Sequence, residues 1–224
     1  LLMCDTLEYE LVPFNNGAYK LVIANTNKRR GLVDSEYNTR RSQCEQAVAA
    51  LQGRIPGLQL LGELTLAQYE ANEDAIADDT VRRRARHVVE EIDRVKRAVA
   101  ALREDDLAGF GALMNGSHES LRDLYEVSCK ELDVLVEEAR RIDGTLGSRM
   151  TGAGFGGCTV VLVHRDALPE LEQRVARAYE ATFGRQPAFY PLDHNVEAGP
   201  IWPETAALPV SSTSEGDEAG ASEE

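Results

Sequence analysis

The first sustained apolar run, Leu21-Val22-Ile23-Ala24, ends in the polar turn formers Asn25 and Thr26 and predicts a buried strand over 20–26. A helix follows: Asp34 and Ser35 are good N-cap types, Glu36 adds an acid to the first turn, and Tyr37, Cys44, Val48 and Leu51 share a face before Gly53 and Pro56-Gly57 stop it. From Val81 to Leu102, apolar residues at 81, 85, 88, 92, 95, 99 and 102 step alternately by four and three, which predicts a long amphipathic helix packed on other helices. Asp106 opens another helix carrying Leu107, Phe110, Leu113, Met114 and Leu121, and Ser128-Cys129-Lys130-Glu131 has the form of a capping box for a helix ending near Gly144. The period then changes. Leu146 to Met150 and Cys158 to Val163 are strand-like, a helix spans 167–183, and a short strand covers 188–191. Strands interrupted by groups of helices predict an α+β fold, a mostly antiparallel sheet covered by helices.

Charge narrows the function. The 224 residues hold 38 acids against 24 bases, a net charge of −14, which argues against nucleic acid as a partner. No apolar stretch approaches the roughly 18 residues of a membrane span, and no secretory leader is evident, so a cytoplasmic protein is expected. Pro203 to Glu224 contains six acids and no base amid Ser, Gly and Ala, and reads as a disordered acidic tail. Cys4, Cys44, Cys129 and Cys158 lack metal-ligand spacing and are expected as thiols; His87, His118, His164 and His194 likewise predict no metal site. The opening Leu1-Leu2-Met3 runs directly into strand-like sequence, as though the chain began within a larger fold.

The densest chemical signal is Met150-Thr151-Gly152-Ala153-Gly154-Phe155-Gly156-Gly157-Cys158. Its glycines let backbone N–H groups approach an anion such as phosphate or a neighbouring loop. Gly152, Gly154 and Gly157 fit the spacing of a dinucleotide fingerprint, but that motif opens a helix and here a strand follows. No Lys-Ser or Lys-Thr follows as in a Walker loop, and the chain has neither the H-R-D nor the D-F-G of protein kinases.

This motif resembles the third signature of the GHMP small-molecule kinases, and its wording resembles the galactokinase family. Segments LEYE (7–10), NTN (25–27), DSEYNTRR (34–41), RRARHVVE (83–90), LMNGSHESLR (113–122) and YEVSCKELD (125–133) are similar to that family in the same order, over roughly residues 2–190. The resemblance implies a GHMP-kinase C-terminal domain of ferredoxin-like fold over 20–202, a remnant of the end of the N-terminal kinase domain over 1–19, and the acidic tail over 203–224. It implies transfer of the γ-phosphoryl group of ATP, with Mg2+, to the anomeric hydroxyl of galactose. By the same resemblance Tyr37 contacts the sugar, while Thr151, Gly152, Ala153, Gly154, Phe155, Gly156 and Gly157 form the nucleotide-site loop.

The family's first motif, G-E-H-x-D-Y-N-G-G, its Ser-rich phosphate loop and the G-x-x-D-Q segment bearing the usual base do not occur here. No catalytic residue is therefore assigned in this chain, ATP and Mg2+ are expected to be bound mainly by the missing N-terminal half, supplied in cis or in trans, and the chain alone is expected to be inactive. Two other readings stay open: a non-catalytic galactokinase-like sugar-sensing or interaction protein, and a related kinase acting on N-acetylgalactosamine.

Other residues carry less. Ser117, His118 and Asp123 do not form a triad by spacing, and a structural role is expected. Arg82, Arg83, Arg84 and Arg86 read as a solvated helix face. Lys130 stands where the family usually has Pro, and 193–200 follows the family's last strand only loosely.

Overall fold

A computed structural model describes residues 1–3, 6–28 and 33–192, with the backbone alone at 33–35. The order is β1 (Tyr19–Asn25), α1 (Val33–Leu51), α2 (Leu66–Glu70), α3 (Asp79–Arg103), α4 (Leu107–Asp123), α5 (Lys130–Arg140), β2 (Thr145–Thr151), β3 (Cys158–His164), α6 (Leu168–Phe183) and β4 (Ala188–Pro191). The strands form one sheet in the order β2-β3-β1-β4, every pairing antiparallel. Helices leave the sheet between β1 and β2 and again between β3 and β4, and each returning strand skips one place, which is the ferredoxin-like topology. The acidic tail over 203–224 and the stretch 193–200 lie outside the described residues, as do Cys4 and the side chains of the expected caps Asp34 and Ser35.

The pleat divides the sheet residues between two faces. Val22 and Ala24 of β1 stand opposite Val161 and Thr159 of β3, and with Val163 they face α5 and α6, meeting Leu135, Ala139, Leu171, Val175 and Tyr179 in the main core. Leu21, Val160, Arg149 and Thr151 belong to the other face, where α3 and α4 leave a groove of about 300 Å³. A second core lies within the helical layer, where Ala47 and Leu51 of α1 meet Leu61, Tyr69, Ile76, Val81, Ala85 and Val89.

β2 is an edge strand, and its free hydrogen-bonding edge is covered by α4. The Asn115 side chain accepts the Ser148 N–H at 2.9 Å, and His118 Nδ1 accepts the Met150 N–H at 3.2 Å. Since Nδ1 accepts, the proton sits on Nε2, which faces Asp133 Oδ1 at 3.3 Å. Ser117 donates instead to Glu91, and Asp123 is held by Arg122, so the three residues screened as a triad serve three separate contacts. Helix and strand touch backbone to backbone: a Cβ on Gly111 would lie 2.5 Å from the Leu146 carbonyl oxygen.

The cap at the start of α5 differs from the sequence expectation. Cys129 is the N-cap and makes no side-chain cap bond, because Ser128 stands one residue too early and spends its hydroxyl on Asp133 at 2.5 Å. Asp106 caps α4 as expected, accepting from Gly109 N–H. The described cysteines, 44, 129 and 158, are free thiols.

Two outcomes follow from this packing. Gly111→Ala must push α4 off β2 and is expected to lower the unfolding free energy by about 1–3 kcal/mol in urea melts. Burial pushes the His87 imidazole, bonded to Ser120 and stacked on Tyr125, down from 6.5 to about 4. The unfolded chain takes up that proton first, so His87's contribution is intact above pH 6.5 and is lost as pH falls toward 4, on the order of 3 kcal/mol. Urea midpoints between pH 7 and pH 4.5 should show this slope, and His87→Gln should flatten it.

Candidate functional site

The loop joining β2 to β3 turns through the left-handed region at Gly152, Gly154, Phe155, Gly156 and Gly157. Its residues divide into an outward tip and an anchored back. Gly152 and Ala153 are exposed, whereas Gly154 and Gly156 are buried. At Gly154 any side chain would collide with the Val127 carbonyl, so close approach requires glycine there, whereas at Gly156 a Cβ would make ordinary contact with Lys28 and it is the positive φ of 137° that favours glycine. The Phe155 N–H donates to that same Val127 carbonyl at 2.8 Å, and its ring packs with Val127, Leu132 and Met150. Thr26 secures the far end, with both its N–H (2.9 Å) and its hydroxyl (2.8 Å) donating to the Gly157 carbonyl. Thr151 is half-buried and lines the groove beside Arg149.

A charged cluster borders the loop. Lys28 Nζ is 2.9 Å from Glu131, which also meets Arg185 at 3.1 Å. The bond to Glu131 raises the Lys28 ammonium above its usual value. Burial pushes Glu131 up, yet its bond to Lys28 and its place at the start of α5 leave it net below the carboxylate range. Burial raises the neighbouring Cys129 thiol, which keeps it protonated and a poor nucleophile.

Behind Val127, the chain leaving α4 is gripped by two arginines. Arg40 of α1, 7% exposed, donates to the carbonyls of Tyr125 (2.7 Å) and Glu126 (2.8 Å). Arg84 of α3, 2% exposed, donates to the Leu124 carbonyl (2.5 Å) and to the Glu126 carboxylate (2.7 Å). Arg84 and Arg83 beside it hold the Glu126 carboxyl down at about 2. Three successive carbonyls past the end of a helix thus find buried guanidinium donors in place of water.

Tyr37 stands on α1 one turn before Arg40 and is 64% exposed. No hydrogen bond or ion pair among the described residues joins Tyr37 directly to the glycine loop; the two are linked through Arg40, the 124–127 segment and the Val127 carbonyl. Among the described residues no group of three His, Cys, Asp or Glu is placed to hold a metal ion, and no helix is long and apolar enough to cross a membrane.

The arginine run over 82–86 is not the uniform solvated face expected of it. Arg82, Arg83 and Arg86 are partly exposed and ion-paired, but Arg84 is buried because it lies three residues after Val81 and four before Val88, on the apolar side of α3. Arg40 has the same signal, three after Tyr37 and four before Cys44 in the α1 stripe. Helical spacing marks both positions in the sequence. Val127 is different, since it acts through its carbonyl and no side-chain pattern advertises that.

Residues 98–181 match the family model "GHMP kinases C terminal". The galactokinase of Clostridium acetobutylicum is 52% identical over 190 residues, 85% of this chain and 49% of that protein, and that of Fusobacterium nucleatum is 48% identical over 201 residues, 90% of this chain and 52% of that protein. The crystal structure of Lactococcus lactis galactokinase complexed with galactose superposes with a TM-score of 0.81 at 45% identity, covering 85% of this chain and 49% of that one. The chain spans about half the length of these relatives. With its ferredoxin-like sheet, its glycine loop between β2 and β3, and these matches, the chain carries the C-terminal domain of a GHMP kinase and is similar to the galactokinases over most of its length.

Proposed function

We propose that this chain is the C-terminal part of a galactokinase, which phosphorylates galactose at its anomeric hydroxyl with ATP once the N-terminal half is present on the same polypeptide or as a partner. The observation that carries this reading is the glycine loop, pinned from behind with its 152–153 tip facing outward, in a chain 52% identical to about half of a galactokinase. On this reading the outward backbone of the loop completes the nucleotide pocket, and Tyr37, whose exposed hydroxyl can donate and accept, binds a sugar hydroxyl. The loop's part is to shape that pocket; it offers no side chain that moves a proton.

Phosphoryl transfer depends on positioning and on neutralising developing charge. Among the described residues no cluster of His, Cys, Asp or Glu fits Mg2+. The base and the Ser-rich phosphate loop belong, on this reading, to the half upstream. The described residues near the start support the same view: Leu2 and Tyr9 form an isolated bridge, while Leu2, Leu7, Tyr9 and Leu11 present more than half of their surface to solvent, as expected of a segment made to pack on a neighbouring domain.

The test is phosphorylation of galactose by the 224-residue chain with MgATP, beside a polypeptide extended upstream to its first in-frame methionine. Activity confined to the extended polypeptide is expected; activity of the short chain overturns the division of labour, and inactivity of both overturns the galactokinase reading. In the extended polypeptide, Tyr37→Phe should raise KM for galactose about tenfold with a smaller effect on KM for ATP. Gly154→Ala, which collides with the Val127 carbonyl, should raise KM for ATP or abolish activity while leaving the fold visible by circular dichroism.

A further inference from the structure

We infer that Arg40 and Arg84 are positioning residues for the glycine loop, acting through the backbone of residues 124–127. Just past the C-terminal end of α4, the carbonyls of Leu124, Tyr125 and Glu126 belong to no helix or strand and need other donors. Here they are taken by side chains from two other helices: Arg84 takes Leu124, and Arg40 takes Tyr125 and Glu126. Glu126 sits at a positive φ of 52° and would be free to relax in an open loop, but its carboxylate is bound by Arg83 at 2.5 Å and Arg84 at 2.7 Å. The next residue is Val127, whose N–H is fixed on the Leu121 carbonyl and whose own carbonyl receives the Phe155 N–H.

Each joint in this series is a short bond between groups with little room to move. Two buried guanidiniums fix three carbonyls, the three carbonyls fix the direction of the fourth, and the fourth fixes the midpoint of the loop. Arg40 also belongs to the helix that presents Tyr37 one turn earlier, so α1 sets the place of the sugar-side tyrosine and of the loop's support together. Neither arginine reaches the loop itself, and both act through Val127. The consequence for substrate binding rests on the galactokinase reading above; the consequence for the loop does not.

The experiment uses the extended polypeptide with Arg40→Lys and Glu126→Gln, and follows amide hydrogen exchange at Phe155 with Leu162 in β3 as the internal reference. Lysine keeps the charge but offers one nitrogen where Arg40 uses two, Nε and Nη2, and Glu126 is exposed enough for its glutamine variant to fold if the Arg40 variant does not. Phe155 is expected to exchange about tenfold faster relative to Leu162, with KM for ATP rising by a similar factor and, in Glu126→Gln, KM for galactose unchanged. Unchanged relative exchange at Phe155 in the variants that fold overturns the assignment, whereas a loosened Phe155 with an unaltered KM for ATP upholds the positioning role and overturns its consequence for nucleotide binding. If the parent polypeptide phosphorylates no galactose yet Phe155 loosens in the variants, the galactokinase reading falls and the positioning role stands.

Discussion

The carbonyl of Val127 is the point on which the candidate site depends. It accepts the Phe155 N–H and lies where a side chain at Gly154 would be, so the helical layer and the sheet loop meet at one oxygen. The groups that fix this oxygen have a buried centre: the guanidiniums of Arg40 and Arg84, His87 stacked on the half-buried Tyr125, and Val127, Leu132 and Met150 with the half-buried Phe155 packed against them. A glycine-rich loop left to itself would sample many conformations. Here its back is bonded at Val127 and at Thr26, and the freedom of its glycines is used for close approach.

The same logic governs how α4 meets the sheet. An edge strand exposes a row of unpaired groups, and β2 would present one beside the loop. Asn115 and His118 take its free N–H groups, while Gly111 and Gly147 let the backbones come together. Arg140 completes the cover by donating to the carbonyls of both Asn115 and Ser148. β2 is therefore held on both edges, and the loop it feeds starts from a fixed place.

The sequence makes the elements legible wherever burial imposes a period. The run Cys158 to Val163, the seven-position stripe of α3 and the 167–183 helix all appear close to their expected bounds, because each buries one defined face. The glycine loop was legible as chemistry, since strand-loop-strand context excluded the commoner phosphate loops. What escaped was anything carried by tertiary contact. Arg84 sits among Arg82, Arg83 and Arg86, and only its spacing from Val81 sets it apart, while Ser128 has the residue type of a cap although Cys129 occupies that position. The role of Val127 depends on a backbone atom, which no side-chain pattern encodes.

The claim that Tyr37 and the glycine loop serve one site is tested most directly by a crystal structure of the extended polypeptide with galactose and a non-hydrolysable ATP analogue. The account predicts the Tyr37 hydroxyl at about 3 Å from a sugar hydroxyl, the 152–153 backbone beside the nucleotide, and the Phe155 N–H still on the Val127 carbonyl. A sugar bound away from Tyr37, or a loop that leaves Val127 when the nucleotide binds, would contradict it.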